Sequence, residues 1–244
     1  MTSRAIHKTL GTAFPQTINI WSFAALLIAA GVLLPIIAIL VLAFFPSDDI
    51  WSHLLATTLP RYLSTTLALM VCVGFGAACI GAGTAWLITR YRFWGVRSFE
   101  WLLLMPLAIP AYVGAYALVD LLEYAGPIQS ALRGVMGWKN AQDYWFFEIR
   151  SFGAASFVLT MALYPYVYLL SRAAFREQSG AVEEVAQSLG SHAFLRFWKI
   201  GLPLARPAIA AGTAIVMMET INDFGAVDYF AVQTLTTGIF SVWL

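Results

Sequence analysis

The sequence predicts an all-α protein that crosses a membrane several times. Of its 244 residues, 60% are hydrophobic and 11% are charged, and the mean hydropathy is +0.76. Soluble domains carry about 25% charged residues, because their surfaces must be wetted. Uncharged runs of about 20 residues, the length of a helix that crosses the hydrocarbon core, recur along the chain. The net charge of +1, without a long basic run, argues against a nucleic-acid partner.

Five runs are predicted to be membrane spans. Four are uncharged throughout: Trp21–Phe45, Tyr62–Thr89, Trp101–Val119 and Ser151–Ser171. The fifth begins at Pro207, whose fixed φ suits the first turn of a helix, and its uncharged part ends at Met218. The first run is longer than the roughly 7–15 residues of a signal-peptide core, so we expect it to be retained as a span.

The borders of these runs predict the domain organisation. Residues 1–18 form an N-terminal segment, and residues 19–244 form one transmembrane domain. The uncharged stretch after Asp228 is too short for a sixth span, so we expect that helix to be truncated. Four prolines are expected to kink the spans that contain them: Pro35, Pro106, Pro110 and Pro165.

The basic residues predict that the N-terminus lies in the cytoplasm. This orientation places ten of the 14 basic residues inside and four outside, as the positive-inside rule favours. Those inside are Arg4, Lys8, Arg90, Arg92, Arg97, Arg172, Arg176, Arg196, Lys199 and Arg206. Residues 173–206 then form a cytoplasmic loop. The segment from Glu123 to Arg150 lies outside and is expected to carry a short surface or re-entrant helix.

The cytoplasmic loop is predicted to form two short helices. Ser179 or Gly180 can cap the first helix, and Glu183 and Glu184 lie in its first turn, where the helix dipole favours anions. Gly190 can end it in a left-handed conformation. One face of this helix is apolar and carries Val182, Val185, Ala186 and Leu189.

The second helix is expected to start at Ser191 and to carry aromatic side chains at Phe194, Phe197 and Trp198. Pro203 and Pro207 are expected to delimit a hinge after it. On physical grounds alone, such a loop could lie on lipid headgroups or dock into the groove of a partner protein.

The order of residues in this loop resembles the cytoplasmic loop of binding-protein-dependent ABC importer permeases. The residues that match the family's spacing are Glu184, Ala186, Gly190, Ile200, Leu202 and Pro203. Val185 departs from the usual Glu, Ala, Ala opening. Three further stretches are similar to the first half of fused ferric-iron importer permeases: Met105–Leu118, Leu163–Phe175 and Glu219–Phe240.

The resemblance implies a multi-pass inner-membrane permease with a type I-like ABC importer fold. It implies partners in the form of an ATPase dimer, a periplasmic binding protein that delivers cargo, and a second permease half or subunit in the bilayer. The residues implied to couple the loop to the ATPase are Glu183, Glu184, Val185, Ala186, Leu189, Gly190, Ile200, Leu202 and Pro203. The resemblance implies no cofactor for this subunit.

No catalytic site is predicted in this chain. The glycine-rich stretch Gly74–Gly83 is not completed by Lys and Ser or Thr, so it is not a P-loop, and we expect it to pack helices closely. ATP hydrolysis would therefore need a separate subunit. His7, His53 and His192 are not paired with Cys or acidic residues at metal-ligand spacing, so no metal site is predicted.

Ionisable and polar side chains within spans are costly and are candidates for a translocation path. The candidates are Asp120, Glu219, Asn222 and Asp223. The last three share a helix face at spacings of three and four, and their oxygens could meet a hard cation such as ferric iron. An interhelical hydrogen-bond cluster would account for the same residues.

Three alternatives remain open at this stage. Permeases for thiamine, polyamine, sulfate or phosphonate share the loop, so the cargo is open within the family. An ion-coupled secondary transporter would use Glu219 and Asp223 directly, although no inverted repeat with paired broken helices is visible. A membrane-embedded enzyme is the third alternative.

Overall fold

The computed structural model describes residues 20–44 and 58–243. Within these ranges the chain is helical and contains no strand. The helices are α1 (Ile20–Phe44), α2 (Leu59–Arg90), α3 (Val96–Leu102), α4 (Ala111–Leu122), α5 (Pro127–Met136), α6 (Phe152–Glu177), α7 (Gly180–Ser188), α8 (Ala193–Arg196), α9 (Leu202–Asn222), α10 (Gly225–Tyr229) and α11 (Leu235–Trp243). The predicted segment 1–18 lies outside the described residues.

The chain divides into two units, Met1–His53 and Leu54–Leu244. In the first unit, α1 matches the predicted first span and contains Pro35. In the second unit, α2 and α6 are long and apolar enough to cross a membrane, as predicted, and so is the continuous stretch Ala193–Asn222. Together with α1, these are four candidate spans among the described residues.

The predicted third span, Trp101–Val119, is broken. A 3₁₀ turn at Met105–Ala108 follows α3, and α4 begins only after Pro110. The stretches Val96–Ala108 and Ala111–Met136 are bent by 91° to each other, and counting them as one broken span gives five in all. Pro106 and Pro110 each lack an amide hydrogen, and together they interrupt the helix rather than merely kinking it.

The core of the second unit lies between α2, α6 and α9. Leu69 and Val73 on α2, Leu159 on α6 and Val216 on α9 are fully buried. Apolar side chains thus fill the space where the three long helices meet.

The glycine-rich stretch of α2 packs closely against α6, as predicted. A Cβ atom at Gly81 would lie 2.7 Å from the Cβ of Val167 and 2.8 Å from the backbone nitrogen of Tyr168. On α9, a Cβ at Gly212 would lie 2.8 Å from the Cα of Val167. Any side chain at Gly81 or Gly212 would therefore push neighbouring backbones apart.

The segment between α4 and α6 contains the short helix that the sequence predicts. Gln129 on α5 is buried, donates to the carbonyl of Leu122 at 2.7 Å, and accepts a hydrogen bond from the hydroxyl of Tyr144. Trp138 stacks on the ring of Tyr144 with centroids 4.8 Å apart. These contacts give the segment a fixed internal structure.

Candidate functional site

The first half of the predicted coupling loop forms α7 and ends as predicted. Gly190 has a φ of +80°. The amide of Gly190 donates to the carbonyl of Gln187 at 3.0 Å, and the amide of Ser191 donates to the carbonyl of Ala186 at 3.0 Å. This pair of bonds is the Schellman motif, which satisfies the last carbonyls of a helix and requires a left-handed residue. Ser179 precedes α7 but makes no side-chain capping bond.

The loop presents apolar side chains to the outside. Leu189 is 82% exposed and Phe194 is 72% exposed, and Val185 and Trp198 are also exposed. We call these four residues the apolar ridge. Glu184 is exposed beside them, whereas Ala186 is half-buried; Glu183 is described only as part of the α7 backbone. The ridge is a set of large apolar groups that a partner could cover.

The second half of the loop differs from the prediction. Instead of a separate surface helix and a hinge at Pro203 and Pro207, α8 continues through a π-helical turn at Phe197–Gly201 into α9. Pro207 lies inside α9. The amide of Leu202 donates five residues back, to the carbonyl of Phe197.

Pro203 accounts for the π turn. It has no amide hydrogen for the carbonyl of Lys199, four residues earlier, and its ring would crowd that carbonyl in an α-helical turn. Ile200 and Leu202 therefore lie in, and directly after, a widened turn of a continuous helix. The fifth span begins earlier than the predicted start at Pro207.

The π turn is held against α2 by Trp86. A Cβ atom at Gly201 would lie 2.3 Å from Cζ3 of Trp86, so only glycine fits there. The Trp86 ring centroid is 5.3 Å from that of Phe175 on α6 and 5.4 Å from that of Phe197. Trp86 is 6% exposed. One indole on α2 thus contacts two other segments, α6 and the π turn.

Gln178, the C-cap residue of α6, joins the same three segments by hydrogen bonds. Its amide nitrogen donates to the carbonyl of Gly201 at 3.1 Å. Its amide oxygen accepts from Nη2 of Arg90, at the end of α2, at 3.0 Å. The guanidinium of Arg90 also lies over the Trp86 ring, 5.2 Å from its centroid.

A second polar contact lies near the same helix ends. Glu100 on α3 forms ion pairs with Arg172 and, at 3.2 Å, with Arg176, both on α6. The side chains of Glu100 and Arg172 are mostly buried. This pairing fixes α3 on α6 next to the break in the third span.

Sequence reasoning did not identify Trp86, Arg90, Gln178 or Glu100 as site residues. Arg90 entered only as a basic residue that sets orientation. Its partner Gln178 is 88 residues away along the chain. No local pattern marks such a pair, and only the parallel packing of α2 and α6, which places their C-terminal ends side by side, brings it together.

Of the predicted path residues, the structure brings Glu219 and Asp223 together. Both line a cavity of about 290 Å³ that is also lined by residues of the break in the third span. Pro106, Pro110 and Tyr112 form part of that wall, and Tyr166 on α6 forms another part. The cavity therefore combines two carboxylates with interrupted backbone.

The helix face predicted for Glu219, Asn222 and Asp223 does not continue to Asp223. Helix α9 ends at Asn222, and Asp223 is extended, with a ψ of 129°. Its Oδ1 accepts from the amides of Ala226 at 3.0 Å and Val227 at 3.1 Å, which caps α10. The Asp223 carboxylate thus holds the start of α10, and its hydrogen bonds do not join it to side chains of other helices.

Asp120 and Asn222 are exposed and are not among the residues that line this cavity. Asp120 lies near the end of α4, two residues before its last residue, Leu122. The four candidates therefore do not form one cluster.

Comparisons with known proteins agree on one protein family. Residues 70–241 match the family model described as "binding-protein-dependent transport system inner membrane component". The chain is 32% identical over 178 residues to an Fe(3+)-transport system permease protein, FbpB 2, of Haemophilus influenzae; the match covers 73% of this chain and 30% of the relative. The described break, cavity and predicted coupling loop all lie within the matched family region.

Other relatives carry different names. The chain is 31% identical over 173 residues to the sulfate transport system permease protein CysT of Salmonella typhimurium, covering 70% of this chain and 58% of the relative. It is 27% identical over 224 residues to the molybdenum transport system permease protein ModB of Mycobacterium tuberculosis, covering 90% and 78%. The chain thus spans about a third to about three quarters of the length of these relatives.

The fold is also found in a solved structure. A chain from a bacterial ABC transporter involved in the import of the acidic polysaccharide alginate aligns with a TM-score of 0.68 and 17% identity. The alignment covers 92% of this chain and 84% of that chain. At this identity the likeness shows a shared fold.

Proposed function

Because the chain belongs to the family of binding-protein-dependent transport system inner membrane components, we propose that it is the permease subunit of an ATP-driven ABC importer. The family match over residues 70–241 carries this proposal. The several apolar helices agree with a multi-pass protein of the inner membrane. We further propose that the N-terminus and the 173–206 loop lie in the cytoplasm, since that orientation places most basic residues inside.

The proposed role of the loop is to dock on a dimer of ATPase subunits. The apolar ridge supports it, because four large apolar side chains face outward on a short helix and on the turns that follow it. Burying one leucine side chain in a partner's groove contributes about 1.5–3 kcal/mol. The other loop residues predicted to couple to the ATPase would flank or position that ridge: Glu183, Glu184, Ile200, Leu202 and Pro203.

A matched pair of variants tests the docking role. Leu189→Asp places a charge on the ridge, where the side chain is 82% exposed, so the fold should tolerate it. Val135→Asp is the control, because Val135 is 83% exposed on α5. We expect Leu189→Asp to weaken copurification of the ATPase at least tenfold while Val135→Asp leaves it unchanged. Equal copurification by both variants would refute docking through the ridge.

Gly190→Pro provides a second test of the loop. Proline cannot adopt the φ of +80° found at Gly190, so the Schellman turn must rearrange. We expect uptake and the coupling of ATP hydrolysis to be abolished while the protein stays in the membrane. Gly134→Ala is the control, since nothing lies within 4 Å of a Cβ there. Wild-type transport by Gly190→Pro would contradict the proposal.

We propose that the cavity lined by Glu219 and Asp223 belongs to the translocation path, and that the cargo is ferric iron delivered by a periplasmic binding protein. Two carboxylates beside one cavity favour a cation over an oxyanion. The iron-transport relative supports this cargo, and the sulfate and molybdenum relatives keep oxyanions open as alternatives. Thiamine, polyamine and phosphonate remain alternatives from the loop resemblance. Asp120 and Asn222, which lie off this cavity, would line another part of the path.

Neutral isosteres test the path. Glu219→Gln and Asp223→Asn remove the charges, and Asn keeps an oxygen that can accept the two backbone hydrogen bonds of Asp223. Glu148→Gln, an exposed position off the cavity, is the control. We expect iron uptake to fall about tenfold or more in the double variant and not in the control. Unchanged iron uptake at normal membrane expression would refute the path.

A second permease half or subunit would complete the assembly, and residues 19–244 would form one transmembrane domain of it. An ion-coupled secondary transporter is the competing function. It predicts flux driven by an ion gradient in vesicles that contain no ATPase. The proposed importer predicts no uptake in such vesicles until the ATPase and ATP are supplied.

A further inference from the structure

The helix ends next to the predicted coupling loop are clamped together by a small set of polar and aromatic contacts. The clamp consists of Trp86 and Arg90 on α2, Phe175 and Gln178 at the end of α6, and Gly201 in the π turn that leads into α9. These residues come from three long helices, and all of the contacts lie within one turn of the helix ends or of the π turn.

Gln178 hydrogen-bonds both of the other segments of the clamp, through Arg90 on α2 and Gly201 in the π turn. Its two amide atoms have different partners, because the nitrogen donates to Gly201 and the oxygen accepts from Arg90. A primary amide can serve both because it carries a donor and an acceptor on one planar group. No other neutral side chain of this length offers that combination.

The clamp is close-packed around Gln178. Trp86 is 6% exposed and Phe175 is fully buried, and Gly201 leaves no room for a side chain against the indole. A space of only about 20 Å³ remains between Trp86, Arg90, Gln178 and five further residues of the loop, Ser179, Val182, Arg196, Ile200 and Leu204. That volume holds about one water molecule. Val182, which is half exposed, is the α7 residue that lines this space.

The chain leaves the clamp at Gln178, runs through α7 and the Schellman turn at Gly190, and returns to the clamp at Gly201. Both ends of the loop are thus fixed to the same body. A force applied to the apolar ridge acts on α2, α6 and α9 together, provided that the bonds of Gln178 hold.

We propose that Gln178 is a positioning residue that makes the loop and the ends of α2, α6 and α9 move as one body. This inference rests on the proposed function, since it concerns how docking on the ATPase is converted into movement of the spans. Without the Gln178 bonds, the loop would move with the ATPase but α2 would not. ATP would then be hydrolysed with less transport.

Three substitutions test the role of Gln178. Gln178→Met keeps the length of the side chain and removes both hydrogen bonds. Gln178→Glu keeps an oxygen for Arg90 and removes the donor to Gly201. Gln233→Met, at an exposed position in the segment before α11, is the control. Each variant is reconstituted as the complete importer, and copurification of the ATPase and cargo transported per ATP hydrolysed are measured.

We expect Gln178→Met and Gln178→Glu to bind the ATPase normally and to transport about threefold to tenfold less cargo per ATP, as for the loss of one or two hydrogen bonds. The control should keep the wild-type ratio. A wild-type ratio in Gln178→Met would overturn the inference, and so would absence of both Gln178 variants from the membrane, which would make Gln178 a folding residue.

Failure of the proposed function can be distinguished from failure of this inference. If the wild-type chain does not copurify with the ATPase, docking itself is refuted. If the wild type docks and transports while the Gln178 variants match it, only the positioning role is refuted. Spin labels at Ser188→Cys and Trp94→Cys, in a Cys72→Ser and Cys79→Ser background because both native thiols are exposed, add a direct readout. The label distance should stay constant on ATP binding in the wild type and change in Gln178→Met.

Discussion

Replacing Gly201 by alanine tests how firmly the π turn is packed against α2. The added Cβ would lie 2.3 Å from Cζ3 of Trp86 and 2.9 Å from its Cε3 and Cη2. Two carbon atoms reach their optimal separation at about 3.5 Å, so the closest contact is too short by about 1.2 Å. The indole cannot swing away freely, because Phe175 and Phe197 lie against it.

The expected cost follows from this packing. Forcing one extra methyl group into a well-packed core costs about 1–3 kcal/mol of unfolding free energy. This corresponds to a change of roughly 5- to 150-fold in the ratio of folded to unfolded protein. Denaturant titration in mixed micelles, followed by tryptophan fluorescence, measures the free energy of unfolding.

Gly83→Ala is the matched control for this measurement. Gly83 also lies in a helix, α2, but a Cβ there would meet nothing within 4 Å. Alanine is favoured over glycine in helix interiors by about 1 kcal/mol, so this variant should be slightly more stable than the wild type. Adding Trp86→Phe to Gly201→Ala should recover part of the loss, because phenylalanine is smaller. If Gly201→Ala is as stable as the wild type, the described packing of Trp86 is wrong.

Two further predictions concern charged groups. Glu100→Gln removes both ion pairs and leaves the mostly buried Arg172 without its carboxylate, so we expect the free energy of unfolding in the same titration to fall by about 1–3 kcal/mol. Glu123→Gln is the control, because its pair with Arg150 is about half exposed, and its loss should be less than about 1 kcal/mol. An equal loss in both variants would contradict the reasoning. Backbone hydrogen bonds from Asn140 and Lys139 hold the pKa of Asp143 below its usual value of 3.8. The stabilisation by Asp143 is therefore complete above pH 3.8 and is lost as the pH falls through the lower folded-state pKa. Tryptophan fluorescence should show an acid transition that Asp143→Asn lacks. An identical transition in Asp143→Asn would exclude this carboxyl as its source.

Hydrophobic run length predicted the long helices well, because the bilayer sets one dominant requirement for a span. The predicted ends of the spans at α1, α2 and α6 lie within about six residues of the observed helix ends. The third span was predicted wrongly as continuous, because hydropathy does not register the missing amide hydrogens of Pro106 and Pro110. Hydropathy did not distinguish the cysteines and glycines of α2 either, although Gly76 and Gly81 meet α6 while both cysteines are exposed.

The candidate site was predictable where it depends on local geometry. Gly190 could be assigned a left-handed conformation from sequence because helix ends of this kind favour glycine at that position. The continuation of the loop into α9 was missed, because Pro203 and Pro207 were taken to delimit a hinge, whereas Pro203 lies in the first turn of α9 and Pro207 inside it. The Gln178 clamp depends on packing between distant segments, for which one sequence carries no signal.

The break in the third span and the acidic cavity have a common physical requirement. Backbone that is not helical at membrane depth is tolerated where it is buried in protein or lines a water-filled space. The residues around Pro106 and Pro110 line the same cavity of about 290 Å³ as Glu219 and Asp223. Water in this cavity would solvate both the carboxylates and the interrupted backbone, whereas lipid could solvate neither. The two prolines and the two acids therefore favour a hydrated passage at this position, and filling the cavity with a bulky apolar side chain at Ala162 should block it without changing either carboxylate.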